Sequence, residues 1–179
     1  MASRNPVLLP ARAGGRLTLA LPTRRATVRL GRRLARALDV GDLLILAGDL
    51  AAGKTFFARA LCRGLGVPAG ERITSPSFAL VHEYDGGPSP AAPEGLKIVH
   101  ADLYRLGDVS EVAALGLRER RADALVVVEW GTPYAAELGG RSIELELTVA
   151  PRGRRASLRA EETADLTRVV EAIGLGIGS

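Results

Sequence analysis

Short segments in which apolar residues alternate or run together predict the strands of this chain. Arg16–Leu21 alternates and is closed by Pro22, and residues 142–149 carry apolar side chains at every second position. Two continuous apolar runs, 42–47 and 125–129, are typical of strands that are buried on both faces. We therefore expect these two strands at the centre of a sheet.

Other segments repeat their apolar residues at helical spacing. Thr23 is a suitable N-cap for a helix over residues 24–38. A second helix is predicted where apolar side chains recur from Ala58 to Leu65, and nearby glycines mark its end. We also expect helices over residues 109–120 and 164–173.

Three further segments complete the predicted topology. Residues 78–84 and 97–102 have the character of strands, and 156–159 could pair with the alternating strand that precedes it. Strands mixed with helices, without an internal repeat, favour a three-layer α/β fold with a mainly parallel central sheet plus antiparallel strands. We expect residues 16–179 to form a single domain, preceded by a flexible tail at 1–15.

Composition is that of an ordinary globular protein. Of the 179 residues, 47% are hydrophobic and 25% are charged. No run of about 18 apolar residues is present, so we expect no membrane-spanning segment, and the first residues lack the apolar core of a secretory signal. A single cysteine, Cys62, cannot form an internal disulfide, which favours the cytoplasm as the compartment. We expect Cys62 to be an inert thiol in the core.

The chain is basic, with a net charge of +4 that arginine supplies almost alone. Lys54 and Lys97 are the only lysines, so a lysine at position 54 stands out in a chain that otherwise uses arginine. The predicted first helix is strongly basic. The preference for arginine along the whole chain favours a solvated helix face over a nucleic-acid-binding face, although both interpretations stay open.

One segment carries a specific chemical pattern. Residues Gly48-Asp-Leu-Ala-Ala-Gly-Lys-Thr55 fit G-x-x-x-x-G-K-[ST], between a predicted strand and a predicted helix. Backbone N–H groups of such a loop, with the positive end of the helix dipole, surround phosphate oxygens. Lys54 would add a positive charge at the outer phosphates, and Thr55 a hydroxyl ligand for Mg²⁺. The alternative is a glycine-rich turn without a ligand; the pattern and its flanks favour a P-loop NTPase-like fold.

A second metal ligand is expected from a carboxylate at the end of a neighbouring buried strand, because ligands gather at the carboxyl ends of parallel strands. Glu129 and Asp102 both end predicted strands. The alternatives are a solvent-facing carboxylate at Glu129 and an N-cap or turn residue at Asp102. His100 alternates with Asp102 and could neighbour the site, while Trp130 could lie near a nucleotide or in the core.

Four segments, in this order along the chain, resemble the TsaE family: Gly48-Asp-Leu-x-Ala-Gly-Lys-Thr, Ser75-Pro-Ser-Phe, His100-x-Asp-Leu-Tyr-Arg-Leu106 and Val128-Glu-Trp130. TsaE proteins are small bacterial ATPases needed to make threonylcarbamoyl-adenosine beside the anticodon of tRNA. The resemblance extends from about residue 21 to residue 149, and the third segment is its most specific part.

The resemblance implies a role for each matched position. Thr55 and Glu129 would hold Mg²⁺, and Asp102 would act with Lys54 in hydrolysis by orienting the attacking water or the water shell of the metal. Residues 75–78 would form a switch-like loop that senses the γ-phosphate. The residues implied in ATP binding are Leu50, Ala51, Ala52, Gly53, Lys54, Thr55, Arg24 and Trp130.

The family also implies partners, the proteins TsaB and TsaD, whose complex the ATPase cycle resets. Contact with tRNA, direct or through these partners, stays open. Two positions depart from the family pattern, because Ala51 replaces a usual glycine and Phe56 replaces a second hydroxyl residue. ATP binding is still expected with Ala51 and Phe56. The property that these two departures would affect is the rate of ATP hydrolysis.

Two other classes of protein remain as alternatives. A small-molecule kinase also uses a P-loop, but the connection over residues 85–95 lacks the arginine typical of a kinase lid. A nucleotide-dependent interaction module with little turnover is compatible with Ala51 and Phe56. A GTPase is excluded, because the only asparagine, Asn5, is far from any guanine-reading position.

Overall fold

The structure, a computed structural model, describes residues 15–174 and contains one seven-stranded sheet in that part of the chain. The strands are β1 (Arg16–Leu21), β2 (Leu43–Ala47), β3 (Val81–Asp85), β4 (Lys97–Asp102), β5 (Ala124–Glu129), β6 (Ile143–Val149) and β7 (Arg154–Ala160). The helices are α1 (Arg24–Leu34), α2 (Lys54–Gly64), α3 (Val109–Ala114), α4 (Leu117–Arg120) and α5 (Thr163–Ala172). The tail expected at 1–15 lies, apart from Gly15, outside the described residues.

The strand order is β1-β7-β6-β2-β5-β4-β3. The four inner strands β6, β2, β5 and β4 run parallel, while β7, β1 and β3 add antiparallel edges on the two sides. Strand β2 is the middle strand and β5 is its neighbour, which confirms that the two most apolar runs occupy the centre. Their side chains are buried on both faces, as a parallel sheet between helices requires.

Apolar layers on both faces of the sheet make the fold three-layered. On one face, Leu44 and Leu46 of β2 share a core with α1, α2 and α5. On the other, Leu43 and Ile45 share a second core with side chains of α3 and α4. Because successive side chains of a strand point to opposite faces of the sheet, β2 contributes to two separate cores. This arrangement confirms the predicted α/β class.

Helix α1 lies tightly against α2. Two glycines permit the close approach, since a Cβ at Gly31 would lie 2.9 Å from Cβ of Ala60, and a Cβ at Gly64 would lie 2.8 Å from Cα of Arg32. Thr23 caps α1 as predicted, because its hydroxyl oxygen accepts from the backbone N–H of Ala26 at 3.1 Å. The orientation of α1, and so of its polar face, is fixed by this packing.

Three predicted elements have different bounds in the structure. The first helix ends at Leu34 and continues as a 3-10 turn, Ala35–Ala37. The helix expected over 109–120 is split into α3 and α4, because Gly116 has a φ of 62° that an α-helix cannot contain. The strand expected from residue 78 begins only at Val81, since Leu80 also has a positive φ, 65°.

The pairing register of the central strands shows where the residues that end them come together. Glu129, the last residue of β5, pairs with Leu46 of β2 on one side and with Asp102, the last residue of β4, on the other. The three strands therefore end at one level, where the loop after β2 begins. None of the helices within residues 15–174 is long and apolar enough to cross a membrane.

Candidate functional site

The loop between β2 and α2 bends through three residues with positive φ. A side chain at Gly48 (φ 127°) would place its Cβ 2.2 Å from the carbonyl oxygen of Leu147, so only glycine fits there. Gly53 (φ 107°) is the N-cap of α2. Ala51 has a φ of 62°, a conformation that costs an alanine on the order of 1–2 kcal/mol. The departure from glycine at this position therefore strains the loop.

Lys54 is the first residue of α2, and its side chain folds back over the loop. Its Nζ donates to the carbonyl oxygens of Gly48 at 2.6 Å and Asp49 at 2.9 Å. An ammonium has three donors, so one remains for a ligand. Burial lowers the pKa of Lys54 below its usual value, while the nearby carboxylates of Glu129 and Asp102 offset part of that effect.

Thr55 contacts the last residue of β5. Its hydroxyl donates to Oε2 of Glu129 at 3.1 Å. Glu129 is only 2% exposed, so the alternative of a solvent-facing carboxylate is wrong. The other oxygen, Oε1, lies 3.0 Å from Nε2 of His100, a fully buried side chain whose Nδ1 has no hydrogen-bond partner.

Asp102 stands beside this pair and is held by a serine loop. Its Oδ2 accepts from the hydroxyls of Ser75 at 2.5 Å and Ser77 at 2.7 Å. Its Oδ1 accepts from the backbone N–H of Tyr104 at 3.1 Å. The turn role that the sequence left open for Asp102 is thus fulfilled by one oxygen, while the other connects the site to the loop at 75–78.

Trp130 forms a wall of the site. Its backbone has a φ of 64°, which turns the chain sharply after Glu129. The ammonium of Lys54 lies 3.8 Å from the centre of the indole ring, and the ring of Tyr104 lies 5.0 Å away on a tilted plane. The side chain is half-buried and also packs against the core of α3 and α4. Both interpretations of this tryptophan, site and core, therefore describe part of its surroundings.

Two cavities flank the loop. The first, about 310 Å³, is lined by Lys54 and Thr55 at the start of α2, by Asp102, Glu129 and Trp130 at the ends of β4 and β5, and by Leu50. The second, about 510 Å³, lies on the other side of Ala51 and Gly53. Its wall includes Ala52 and the start of α1, namely Thr23, Arg24 and Thr27. The loop backbone is thus shared between a smaller and a larger cavity.

The donor set in the smaller cavity fits a hard cation. A threonine hydroxyl and two carboxylates are oxygen ligands, which Mg²⁺ prefers, and Mg²⁺ usually keeps several waters and takes one or two protein ligands. Within residues 15–174, no group of three or more His, Cys, Asp or Glu side chains is arranged as a metal cage. The site therefore suits a cation that is shared with a phosphate ligand rather than one enclosed by protein.

Arg154 is a residue of the site that the sequence interpretation missed. It begins β7, far along the chain, and its Nε donates to the carbonyl oxygen of Ala52 at 2.9 Å. Its Nη2 donates to the carbonyl oxygen of Ala51 at 3.3 Å, so the guanidinium clamps the strained part of the loop. No local pattern marks Arg154. Its role depends on antiparallel pairing of β6 with β7, which places the strand start beside the loop.

Exposed apolar side chains lie at the smaller cavity, which Leu50 and Tyr104 line, and next to it at Phe78, which follows the lining residue Ser77. Leu50 at the tip of the loop is 71% exposed, Phe78 is 85% exposed and Tyr104 is 54% exposed. The guanidinium of Arg105 lies 4.1 Å from the centre of the Phe78 ring. Large apolar residues are more often buried, so this rim is suited to contact with another molecule.

The middle strand of a mixed, centrally parallel sheet leads through a glycine-rich loop into a helix, beside a lysine, a threonine and two carboxylates. These features define an α/β protein of the P-loop type. The chain matches the family described as "Threonylcarbamoyl adenosine biosynthesis protein TsaE" over residues 21–157. It belongs to the TsaE family.

Relatives support this membership across most of the chain. A protein of Streptomyces coelicolor named tRNA threonylcarbamoyladenosine biosynthesis protein TsaE is 38% identical over 148 residues, which is 82% of this chain and 89% of that protein. The protein of the same name from Treponema pallidum is 36% identical over 72% of this chain and 89% of its own length. A crystal structure of Bacillus subtilus YdiB has the same fold, with a TM-score of 0.69 at 21% identity, over 90% of this chain and 97% of that one.

Proposed function

We propose that this protein binds and hydrolyses ATP with Mg²⁺, as a component of the machinery that makes threonylcarbamoyl-adenosine in tRNA. The observation that carries the proposal is the convergence of Lys54, Thr55, Glu129 and Asp102 around one 310 Å³ cavity. Its relatives are named for this tRNA modification. The cytoplasm, where tRNA is modified, is the expected location.

Phosphates would be bound by the loop and Lys54. The first residues of α2 present backbone N–H groups that have no partner within the helix, and the helix dipole favours negative charge there. The buried ammonium of Lys54 has a free donor on the side of the cavity. The larger cavity between the loop and Arg24 has room for the nucleoside, and its partly apolar wall suits a flat base.

Thr55 and Glu129 would hold Mg²⁺. A bound Mg²⁺ would neutralise the negative charge that develops on the phosphate oxygens during hydrolysis. Asp102 would orient the water that attacks the γ-phosphorus, while the bond from that phosphorus to the bridging oxygen of ADP breaks. Its contacts with Ser75 and Ser77 support this role, because they connect the carboxylate to the loop that faces the same cavity. Hydrolysis would thereby be coupled to the position of the serine loop.

TsaB and TsaD are the partners that we propose, and the ATPase cycle would reset their complex. The exposed rim of Leu50, Phe78 and Tyr104 supports a protein contact at the mouth of the site. A partner bound there would cover both the loop that binds phosphate and the loop that contacts Asp102. Slow turnover alone and faster turnover in the complex are the expected behaviour.

The test is a titration with Mg²⁺–ATP followed by Trp130 fluorescence, repeated with GTP and without metal. Phosphate release is then measured for the protein alone and with the TsaB and TsaD proteins of the same organism. Saturable, metal-dependent binding that favours ATP, with turnover that the partners change, is the expected result. Binding without turnover in either condition would instead support an interaction module. Phosphate transfer to a small molecule would support a kinase.

A further inference from the structure

One segment, α1 with the 3-10 turn that follows it, accounts for the net positive charge of this protein. Residues 24–36 contain six arginines and no acidic residue. Of 24 basic and 20 acidic side chains in the chain, that leaves 18 basic against 20 acidic outside this segment, a net charge of −2. A general preference for arginine over lysine does not explain this distribution, because it would not remove acidic residues from one helix.

Four of these arginines form a line, which we call the arginine stripe: Arg25, Arg29, Arg32 and Arg36. The first three occupy positions i, i+4 and i+7 of α1, which lie on one face of the helix and span about 10 Å at 1.5 Å per residue. Arg36 follows them on the 3-10 turn that continues α1. All four are exposed. The backbone of Arg32 contacts α2 at Gly64, so the stripe runs along the edge of that helix contact. The stripe is therefore a continuous surface of a single sign.

Within residues 15–174, no acidic side chain neutralises the positive charge of the arginine stripe through an ion pair. In the same part of the chain, none of its four side chains takes part in a salt bridge or a side-chain hydrogen bond. The ion pairs of this region involve other arginines, such as Arg168 with Asp42. The segments 1–14 and 175–179 contain no Asp or Glu that could supply a partner. Like charges at i, i+3 and i, i+4 destabilise a helix by a few tenths of a kcal/mol per pair, so the stripe has a cost to stability.

We infer that the arginine stripe is a binding surface for the phosphate backbone of RNA. Guanidinium groups bind phosphate through paired donors, and a row of them at intervals of about 5–6 Å suits successive phosphates. An acidic protein partner is less well matched. Protein interfaces place aromatic and apolar side chains at their centre, and no large apolar side chain is exposed on this face of α1.

The position of the stripe relates it to the proposed function, on which the choice of tRNA as the RNA rests. Arg24, next to the first residue of the stripe, lines the 510 Å³ cavity beside Ala51 and Gly53. RNA that follows α1 would therefore approach the nucleotide site from the side of that cavity, away from the apolar rim of Phe78 and Tyr104.

The test compares three variants of the full chain in binding to an unmodified tRNA transcript, by fluorescence anisotropy at several salt concentrations. The first, R29Q/R32Q/R36Q, removes three of the four stripe arginines but leaves Arg24, Arg25 and the start of α1 intact. The second, R29K/R32K/R36K, keeps the charge. The third, R72Q/R118Q/R155Q, removes the same number of exposed arginines elsewhere and is the matched control. Glutamine and lysine are good helix formers, so all variants should fold, and the first should be at least as stable as the unsubstituted protein.

We expect the first variant to bind tRNA at least tenfold more weakly, with a log–log salt dependence that is smaller by about 2 to 3, as three lost phosphate contacts predict. The lysine variant and the control should stay within about threefold of the unsubstituted protein. Equal losses in the first variant and the control would overturn the inference, because net charge alone would then explain binding. Binding to polyglutamate as tight as to tRNA would overturn the choice of RNA over an acidic protein.

Mg²⁺–ATP binding is measured on the same variants, so that the two proposals can fail separately. Normal ATP binding with no detectable tRNA binding in the unsubstituted protein would overturn the inference that the stripe binds RNA and leave the proposed function intact. Binding of tRNA that depends on the stripe, without any binding of ATP, would overturn the proposed function and support the stripe.

Discussion

Nε2 of His100 lies 3.0 Å from Oε1 of Glu129, in a contact from which solvent is excluded. The opposite oxygen of the same carboxylate accepts from Thr55 at 3.1 Å. The Nε2–H tautomer fits this arrangement, since Nε2 then donates to Glu129 and the unpartnered Nδ1 carries no proton. His100 thereby fixes the rotation of a carboxylate whose other oxygen faces the proposed cation.

His100→Ala should weaken the binding of Mn²⁺, as a spectroscopic substitute for Mg²⁺, in the presence of an ATP analogue. Loss of a group that orients a metal ligand typically weakens metal binding by about 10 to 100-fold. Electron paramagnetic resonance measures the bound Mn²⁺, and nuclear magnetic resonance of the ring nitrogens should show the Nε2–H tautomer in the unsubstituted protein. His82→Ala, which removes the only other histidine, is the control. Equal Mn²⁺ affinity in both variants would refute the positioning role.

Lys54→Ala should weaken ATP binding by roughly 10 to 100-fold, because it removes a charge-assisted hydrogen bond to phosphate. Isothermal titration calorimetry measures the affinity independently of Trp130, whose ring the ammonium contacts. Lys97→Ala is a matched control, since Lys97 is the only other lysine and lies exposed on β4. A similar loss in both variants would argue against a specific phosphate contact.

Asp102→Asn should leave ATP binding within about threefold and lower turnover by about 100-fold or more, the usual contribution of a group that positions or activates the reacting water. Phosphate release in the presence of the partner proteins is the measurement, with Asp85→Asn on the exposed end of β3 as the control. Normal hydrolysis by the Asp102 variant would show that another group orients the water.

Arg154 and Ala51 should be coupled in a double-mutant cycle. Arg154→Gln removes the donors that hold the carbonyl oxygens of Ala51 and Ala52, so nucleotide affinity should fall by roughly tenfold. Ala51→Gly removes the strain of a positive φ at this position, because glycine adopts that conformation readily. In that background, Arg154→Gln should lower nucleotide affinity by a smaller factor. A coupling free energy of about 0.5–1.5 kcal/mol from calorimetry is expected. Additive effects would mean that the clamp and the strain are independent.

Cys62 provides a check on the fold through its reactivity. It is fully buried on α2, and burial raises the pKa of its thiol to about 12. At pH 8 the thiolate fraction should be about one in ten thousand, and a thiol reagent cannot reach the sulfur in the folded protein. We expect labelling of this single cysteine only as fast as the protein unfolds. Rapid labelling without denaturant would show that α2 opens locally.

Much of the fold followed from local pattern. The central strands β2 and β5 were evident because four or five consecutive apolar residues suit a strand buried on both faces, and Thr23 was recognisable as a cap from its hydroxyl alone. The split of the helix at Gly116 and the late start of β3 after Leu80 were not predictable. In both cases a positive φ at one residue, imposed by surrounding structure, interrupts a pattern that continues in the sequence.

The sequence by itself determined the glycine-rich loop, since Gly48 through Thr55 bring a bent backbone and a helix start together in one contiguous segment. It also indicated Asp102 and Glu129, because residues that end buried parallel strands meet at one edge of the sheet. Only the tertiary structure decided which side chains hold these groups. The sequence and the family resemblance placed His100 and residues 75–78 near the site. Their contacts, and the presence of Arg154, depend on strand order, register and burial, which require distant parts of the chain to pack together.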